Sequence, residues 1–407
     1  MRYPTYIKNC IELLEKSGYR AYAVGGALRD SLLDKEPYDW DVATSARPNE
    51  ILSVFADYRT IPTGIKHGTV TVLFENEEKN GEKSSVEITT FRIDGEYRDS
   101  RHPESVEFSS DIRDDLSRRD FTVNAMAFNE KEGIIDEFGG KKDLENRIIR
   151  AVGNPEKRFS EDALRILRAF RFSAQLGFEI EEKTLVAAQK CALLLKNIAR
   201  ERVGVEFKKL LSCREVSYSL QKMIECGIWK NLFDAAPRPQ IVSKISGLEN
   251  GNFSTRLSSL VAEYSEVEKE GFLTSLRLSN AEKKLVLRLC KVRDFEIPKN
   301  NAEFPAAARH FLHLYSNVYV EAQEMLEFFH GTERAAEFKK ILEIEKIKNN
   351  PLTISDLAIK GSDILPLCKD NFAKVGKTLE MLLECVIENP ELNEKEKLVE
   401  IAKKELL

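Results

Sequence analysis

Two aspartates separated by one residue, Asp39 and Asp41, are the first candidates for chemistry in this sequence. They flank Trp40 in the segment Asp-Trp-Asp-Val-Ala, whose alternation is typical of a strand. Residues i and i+2 of a strand share a face, so the two carboxylates would repel each other unless a cation lies between them. Mg²⁺ prefers carboxylate oxygens and shares substrate phosphates with them. The pair predicts a magnesium site, although a solvated edge-strand pair fits the same pattern, and Glu87 is a candidate third carboxylate.

Two further segments contain residue types that bind phosphate. Gly25 and Gly26 lie where a predicted strand passes into a predicted helix, a geometry in which backbone N–H groups can approach a phosphate. Arg29 adds a guanidinium fork to this turn. The motif Arg-Arg-Asp-Phe-Thr-Val-Asn at residues 118–124 places adjacent arginines near an asparagine, and such groups can bind a triphosphate and a ribose hydroxyl. The candidates in this motif are Arg119, Asp120 and Asn124.

The segment Glu-Asp-Ala-Leu-Arg-Ile-Leu-Arg-Ala-Phe-Arg-Phe at residues 161–172 has an unusual charge pattern. Its apolar residues recur at helical spacing, so we predict one continuous helix over residues 161–175. One aspartate and three arginines follow the remaining face at every third position. A solvent-exposed face usually has lysines and pairs of opposite charge at i,i+4 instead. The candidate residues are Asp162, Arg165, Arg168 and Arg171, with Glu161 as a further candidate.

An aspartate and an arginine one helical turn apart can discriminate between nucleobases. The Watson–Crick edges of cytosine and adenine present an amino donor next to a ring-nitrogen acceptor, whereas uracil and guanine reverse this order. The Asp162 carboxylate only accepts and the Arg165 guanidinium only donates, so the pair matches C and A. A mismatched base would cost about 1–3 kcal/mol for each group left unpaired. The pattern therefore predicts selection of CTP and ATP.

The elements that must position these residues change in character along the chain. Before about residue 140, runs rich in β-branched and aromatic residues alternate with helical segments, which indicates a small mixed sheet flanked by helices. From about residue 141, strand signals become rare and apolar residues recur at helical spacing. We therefore predict an α+β fold in which an α/β head is followed by an all-helical remainder.

The composition argues against several classes of protein. Of 407 residues, 42% are hydrophobic and 32% are charged, which is typical of a globular protein. A formal net charge of −5 argues against a uniformly basic protein that coats nucleic acid, but it is compatible with a local basic groove. The 7 cysteines form no CxxC motif, and no run approaches the roughly 20 apolar residues that cross a bilayer. These features predict a cytoplasmic protein that does not associate with membranes.

Taken together and in this order, the motifs resemble those of the class II tRNA nucleotidyltransferases, the bacterial CCA-adding enzymes. That family shares a polymerase-β-like nucleotidyltransferase head with bacterial poly(A) polymerases. Segments near Leu278 and at residues 351–363 and 389–393 resemble the body and tail of CCA-adding enzymes, which argues against the poly(A) branch. A loop at residues 92–108 resembles the flexible loop of the family, and its presence favours full CCA addition.

The resemblance implies a function, a metal ion and roles for the residues. The enzyme would add the 3′-terminal CCA sequence to tRNA from CTP and ATP without a nucleic-acid template, releasing pyrophosphate. The resemblance implies that Asp39 and Asp41 bind Mg²⁺ and act in catalysis, and that Gly26 and Arg29 contact the triphosphate. It implies that Arg119 contacts the nucleotide and that Asp162 and Arg165 read the base edge. Arg168 and Arg171 would neutralise phosphates.

The resemblance also implies four domains and a partner. The domains are a nucleotidyltransferase head at residues 1–140, a helical neck with the base-reading helix at 141–215, a helical body at 216–300 and a helical, tRNA-binding tail at 301–407. The partner is tRNA, contacted at its acceptor stem and elbow. The sequence does not determine the oligomeric state, and a homodimer is compatible with it.

Three alternatives stay open at this point. An A-adding enzyme that works with a separate CC-adding enzyme would use the same chemistry, as would a bacterial poly(A) polymerase. A noncatalytic RNA-binding relative would belong to a different class, although intact Asp39 and Asp41 argue against it.

Overall fold

The structure of the chain is a computed structural model. The residues that it describes are 3–37, 39–76, 82–95, 106–248, 252–331, 333–368 and 371–406. Of the loop predicted at residues 92–108, residues 96–105 lie outside the described residues.

A mixed β-sheet forms the centre of the N-terminal part, as predicted. The strands of the described residues are β1 (Ala21–Val24), β2 (Asp41–Thr44), β3 (Arg59–Gly64), β4 (Thr69–Asn76), β5 (Glu82–Thr90), β6 (Arg92–Asp94), β7 (Val106–Phe108), β8 (Ala127–Asn129), β9 (Gly133–Ile135), β10 (Ile148–Ile149) and β11 (Glu179–Ile180). Within this described part, the main sheet has the strand order β3-β4-β5-β2-β1-β8-β9. Its strands β2 and β5 are parallel, and its other neighbouring strands are antiparallel.

Helices flank this sheet and make up most of the chain that follows it. They are α1 (Thr5–Lys16), α2 (Gly25–Leu32), α3 (Pro48–Val54), α4 (Ile112–Ser117), α5 (Gly140–Glu145), α6 (Pro155–Glu161), α7 (Leu164–Leu176), α8 (Glu182–Lys190), α9 (Arg200–Leu211), α10 (Val216–Glu225), α11 (Trp229–Leu232), α12 (Pro239–Lys244), α13 (Phe253–Val261), α14 (Glu266–Ser275), α15 (Asn280–Cys290), α16 (Phe304–Tyr315), α17 (Tyr319–His330), α18 (Glu333–Ile347), α19 (Gly361–Ile364), α20 (Phe372–Glu388) and α21 (Lys395–Leu406). The predicted α+β fold class, with a helical remainder, is confirmed.

Side-chain alternation along the strands divides the core of the head into two layers. Ala21 and Ala23 of β1 pack on the face covered by α1 and α3, whereas Tyr22 and Val24 pack on the opposite face with α4. Each large apolar side chain that is fully buried in this way contributes about 1.5–3 kcal/mol. Because both faces are covered, the sheet is a rigid support for residues at its strand ends.

The register of the sheet brings the glycine turn next to the aspartates. Val24, the last residue of β1, lies opposite Asp41, the first residue of β2, and α2 begins at Gly25. On the other side of β2, Asp41 lies opposite Glu87 of β5. Asp39 precedes β2 and is not part of the strand. Three segments that are distant in sequence therefore meet at one end of the sheet.

The predicted continuous helix over residues 161–175 is wrong, because α6 ends at Glu161 and α7 begins at Leu164. Asp162, between them, has an extended backbone with φ −141° and ψ 103°. Its carboxylate accepts a hydrogen bond from the backbone N–H of Leu164 at 3.1 Å. A short polar side chain that binds a nearby N–H competes with helix continuation and favours a helix start.

The chain forms two compact units. The first comprises Met1–Ser246 and Tyr264–Leu278, and the second comprises Gly247–Glu263 and Ser279–Leu407. In the second unit, apolar side chains of α16, α17 and α18 belong to one core cluster, and those of α20 and α21 belong to another. Within the described ranges, none of the helices combines the length and the apolar character that crossing a membrane requires.

Candidate active site

A polar cavity of about 690 Å³ in the first unit is lined by both groups of predicted residues. Asp39 and Asp41 line it at the start of β2, and Asp162 and Arg165 line it around the start of α7. The other predicted residues in its wall are Gly25, Gly26, Arg29, Arg119, Asp120, Asn124, Arg168 and Arg171. Glu87 and Glu161 do not line the cavity among the described residues; Glu87 lies opposite Asp41 in the sheet, and Glu161 accepts a hydrogen bond from Arg165. The structure thus brings the predicted metal-binding and base-reading groups into one cavity.

The two aspartates are placed where a cation is favoured. The pKa of Asp41 is raised to about 6, mainly by burial; the charge of Arg119 opposes this rise, and the carboxylates of Glu87 and Asp39 contribute to it. A carboxyl whose charged form is disfavoured by burial and by like charges is stabilised when a cation binds. This donor set therefore fits a divalent metal ion.

The ligand count also fits a metal that shares its coordination with substrate. In the described part of the chain, no group of three His, Cys, Asp or Glu side chains is placed to hold a metal ion. Glu87 is thus a charged neighbour of Asp41 in this structure. Mg²⁺ is usually bound through one or two carboxylates together with substrate phosphates and water, so two carboxylates such as those of Asp39 and Asp41 would be enough protein ligands for such an ion.

Gly25 leaves room beside the aspartate. Its φ of +76° is unfavourable for any residue with a side chain. A Cβ at this position would lie 3.3 Å from Asp41 Oδ2 and 3.3 Å from Arg119 Nη1. Glycine is required here both by the turn and by the space that the charged groups occupy.

Arg29 and Asn124, predicted as separate phosphate and ribose contacts, are in direct contact with each other. Arg29 is 3% exposed and donates from Nη1 to Asn124 Oδ1 at 2.7 Å. Its Nε donates to Asp30 Oδ1 at 2.8 Å, and Asn124 Nδ2 donates to Asp120 Oδ1 at 3.2 Å. These bonds fix the groups in the cavity wall.

The arginine pair of residues 118–124 is held by a carboxylate that sequence reasoning missed. Asp115, which is fully buried, accepts from Arg118 Nη2 at 2.6 Å and from Arg119 Nη2 at 3.0 Å. Burial would raise the pKa of Asp115, but the charges and hydrogen bonds of the two arginines outweigh it and lower the pKa. The spacing of Asp115 to the arginines, i,i+3 and i,i+4, was the available sequence signal.

The two residues predicted to read the base bind different partners. The Asp162 carboxylate accepts from Arg202 of α9, at 2.8 Å to Oδ2 and 3.3 Å to Oδ1. Arg165 donates from Nη1 to Glu161 Oε2 at 2.6 Å and from Nη2 to the carbonyl of Arg118 at 3.1 Å. Each carboxylate oxygen accepts more than one hydrogen bond, so these contacts orient both side chains and leave bonding capacity toward the cavity.

The next two arginines of α7 are also paired. Arg168 donates to Asp120 Oδ2, with its Nη2 at 2.6 Å, and Arg171 bonds to Glu206 of α9. Glu206 is only 4% exposed and lies among the buried apolar residues of α9. A carboxylate on the apolar face of a helix is unusual unless it is paired, and this was the sequence signal that could have identified Glu206. The residues that sequence reasoning missed are Asp115, Arg202, Glu206 and Lys209.

Replacing Asp120 by Asn is expected to lower the free energy of unfolding at pH 7 by about 2 kcal/mol. Burial would raise the pKa of Asp120, but Arg168 and Asn124 outweigh it and lower the pKa from 3.8 to about 2. A lowered pKa stabilises the folded state above the ordinary pKa, and this contribution disappears as the pH falls through the lowered value. Denaturant unfolding at pH 7 and pH 3 measures both effects.

The difference between wild type and Asp120→Asn should therefore be smaller at pH 3 than at pH 7. The exposed Asp234, replaced by Asn, is the control and should change stability little at either pH. An equal destabilisation by Asp120→Asn at both pH values would contradict the ionic role of the pair.

The head sequence matches a known family model. Residues 21–150 match the poly A polymerase head domain, and residues 177–241 match the model described as the probable RNA and SrmB-binding site of polymerase A. The mixed sheet and the paired aspartates thus define a nucleotidyltransferase head of this class.

Full-length relatives give the family. The chain is 36% identical to the CCA-adding enzyme of Enterococcus faecalis over 97% of this chain and 94% of the relative, and 36% identical to that of Streptococcus mutans over 99% and 98%. The crystal structure of the Bacillus stearothermophilus CCA-adding enzyme in complex with CTP has a TM-score of 0.83 and 30% identity, covering 100% of this chain and 99% of that chain. The chain belongs to the CCA-adding enzyme family.

Proposed function

We propose that this protein adds the 3′-terminal CCA sequence to tRNA from CTP and ATP, without a nucleic-acid template, and releases pyrophosphate. One observation carries the proposal: a carboxylate pair suited to a metal ion and an Asp–Arg set suited to the C and A base edges line the same cavity. The names of the relatives, CCA-adding enzymes, and the bound CTP of the Bacillus stearothermophilus structure support it.

Asp39 and Asp41 are the residues that would hold the metal, which we propose to be Mg²⁺. When bound, the ion would activate the terminal hydroxyl of the tRNA for attack on the α-phosphate and stabilise the leaving pyrophosphate. The two aspartates orient the reacting groups at the end of β2. Gly25 and Gly26 allow the nucleotide phosphates to approach the backbone closely.

The arginines of the cavity are held in place by carboxylate partners in the protein. Arg119, Arg168 and Arg171 each have a carboxylate partner, so their positions need no reorganisation when charge develops on the phosphates. Such preorganised charge is usually the largest contribution to lowering a barrier of this kind. We therefore propose that these arginines stabilise the triphosphate and the leaving pyrophosphate.

Asp162 and Arg165 would select the base. A carboxylate beside a guanidinium accepts from the amino group of C or A and donates to the adjacent ring nitrogen. Hydrogen bonds from Arg202 and from the Leu164 N–H orient the Asp162 carboxylate, and a hydrogen bond to Glu161 orients Arg165. Uracil would place its oxygen acceptor against the carboxylate, which is the physical basis of the proposed selectivity.

The helical remainder would bind tRNA by its shape and its phosphates, in the neck, body and tail divisions at 141–215, 216–300 and 301–407. Recognition of an RNA duplex by shape does not depend on reading bases. Binding through phosphates should weaken steeply with salt. The 7 cysteines all have free thiols, as expected in a reducing compartment, which supports a cytoplasmic location.

Incubation of tRNA lacking its three terminal nucleotides with labelled CTP and ATP tests the function. The expected result is incorporation of C from CTP alone, and of a single A after the two C residues when both nucleotides are present. Absence of incorporation from CTP alone would leave an A-adding enzyme, and long A tails on unstructured RNA would indicate a poly(A) polymerase. A protein that binds tRNA without incorporating either nucleotide would be the noncatalytic relative.

A further inference from the structure

Lys209 differs from every other cation in the cavity wall. Among the described residues, each arginine that lines the cavity has a carboxylate partner: Arg29 with Asp30, Arg118 and Arg119 with Asp115, Arg165 with Glu161, Arg168 with Asp120, Arg171 with Glu206, and Arg202 with Asp162. Lys209 also lines the cavity, is exposed, and forms no ion pair within this described part. Its charge is therefore available to a ligand.

The position of Lys209 on α9 directs it into the site. Arg202, Glu206 and Lys209 have the spacing i, i+4 and i+7, which places them on one face of a helix. The first binds Asp162 and the second binds Arg171. The face of α9 that carries Lys209 is thus the face turned toward α7.

Contacts of α9 with α7 place Lys209 close to Arg171. The Cys213 thiol contacts the carbonyls of both Lys209, at 3.2 Å, and Arg171, at 4.0 Å. Next to Arg171, the ring of Phe172 lies 5.2 Å from the guanidinium of Arg29. Arg29 in turn lies beside Gly26 in the glycine turn. Lys209 lines the same cavity as this turn, which is predicted to bind phosphates.

The base-reading residues lie toward the other end of α7. From Asp162 to Gln175, which also lines the cavity, the chain advances about 20 Å at 1.5 Å per helical residue. A nucleotide whose base contacts Asp162 would extend its phosphates along α7 toward Gln175 and Lys209. The group that reaches this end is anionic, and Lys209 adds a cation without an ion-pair partner, among the described residues, to arginines that each have a carboxylate partner.

We propose that Lys209 binds the terminal phosphates of the incoming nucleoside triphosphate and the pyrophosphate that leaves. This inference rests on the proposed function and extends it by a residue outside the predicted set. An exposed lysine is a mobile point charge, so it can follow the pyrophosphate as it dissociates, which the fixed arginines cannot do.

Equilibrium binding of CTP and CMP to the full chain, with Mg²⁺ and without tRNA, tests the proposal. Lys209→Met should weaken CTP binding about 10-fold, since a hydrogen bond to a charged group is lost. CMP, which lacks the terminal phosphates, should bind wild type and variant equally. Lys209→Arg should restore most of the CTP affinity. Lys208→Met, which removes the same charge from the preceding residue outside the cavity wall, should change neither affinity.

Two outcomes would overturn the assignment of Lys209. One is equal CTP affinity of wild type and Lys209→Met. The other is an increased KM for tRNA without a change in CTP binding, which would assign Lys209 to the RNA backbone. Failure of the proposed function is distinguishable, because the wild-type chain itself would then fail to bind CTP or to incorporate it. A circular dichroism spectrum shared by all variants excludes misfolding as the cause.

Discussion

Replacing Asp41 by Asn is expected to lower CTP incorporation at least about 100-fold. Mutation of a residue that only hydrogen-bonds to a metal ligand already lowers metal affinity or activity about 10–100-fold, and Asp41 is proposed as a ligand itself. An amide has the shape of the carboxylate but lacks the charge that holds a divalent cation. Burial and two neighbouring carboxylates raise the pKa of Asp41, so its environment disfavours an uncompensated negative charge. Single-turnover incorporation into truncated tRNA measures the effect, and CTP binding measured separately shows that the nucleotide pocket persists.

Controls for this prediction separate metal binding from folding. Asp57, which is exposed and outside the cavity wall, should be replaceable by Asn without loss of activity. Addition of EDTA to the wild type should reproduce the loss. An Asp41→Cys variant should be inactive with Mg²⁺ and regain some activity with Zn²⁺, because thiolates prefer softer metals. Full activity of Asp41→Asn would eliminate the carboxylate pair as the metal site.

Replacing Asp162 by Asn should increase incorporation of UTP relative to CTP by about 5- to 150-fold, equivalent to the 1–3 kcal/mol of a bidentate base contact. The amide oxygen can keep the hydrogen bonds from Leu164 N and Arg202 Nη1 that Oδ1 accepts. The amide nitrogen then replaces Oδ2 and loses the hydrogen bond from Arg202 Nη2. It presents donors toward the cavity, which suit the oxygen acceptor of uracil and not the amino group of cytosine. The ratio of kcat/KM for the two nucleotides is the measurement.

The Asn substitution is preferable to Ala because Asp162 also begins α7. Loss of a helix-capping acceptor costs about 0.5–2 kcal/mol, and a destabilised α7 would displace Arg165 and Arg168 together. Lys157→Ala, on the exposed side of α6, serves as a control for general effects on this region. An unchanged UTP to CTP ratio with a normal melting temperature would exclude Asp162 as a base reader.

Local features of the sequence were sufficient for much of the fold. The two-residue alternation around Asp41 predicted β2, and the glycines after Val24 predicted the turn into α2, since both depend on neighbouring residues alone. The single predicted helix at 161–175 was wrong because apolar spacing continues through Asp162, whereas the hydrogen bond to Leu164 N ends one helix and starts the next. Side-chain competition for the backbone is not visible in a hydrophobic pattern.

The sequence by itself determined which chemical groups are present: a carboxylate pair, a glycine turn, an acid–guanidinium set and an α/β head before a helical remainder. Only the tertiary structure decided which oppositely charged side chain each of these groups pairs with. Asp162 pairs with Arg202 and Arg171 with Glu206, and both partners belong to α9, which follows β11 and α8. Such pairings depend on how helices pack after long stretches of chain, because an ion pair requires proximity in space and carries no local periodicity. The same packing left Lys209 unpaired among the described residues of the cavity wall.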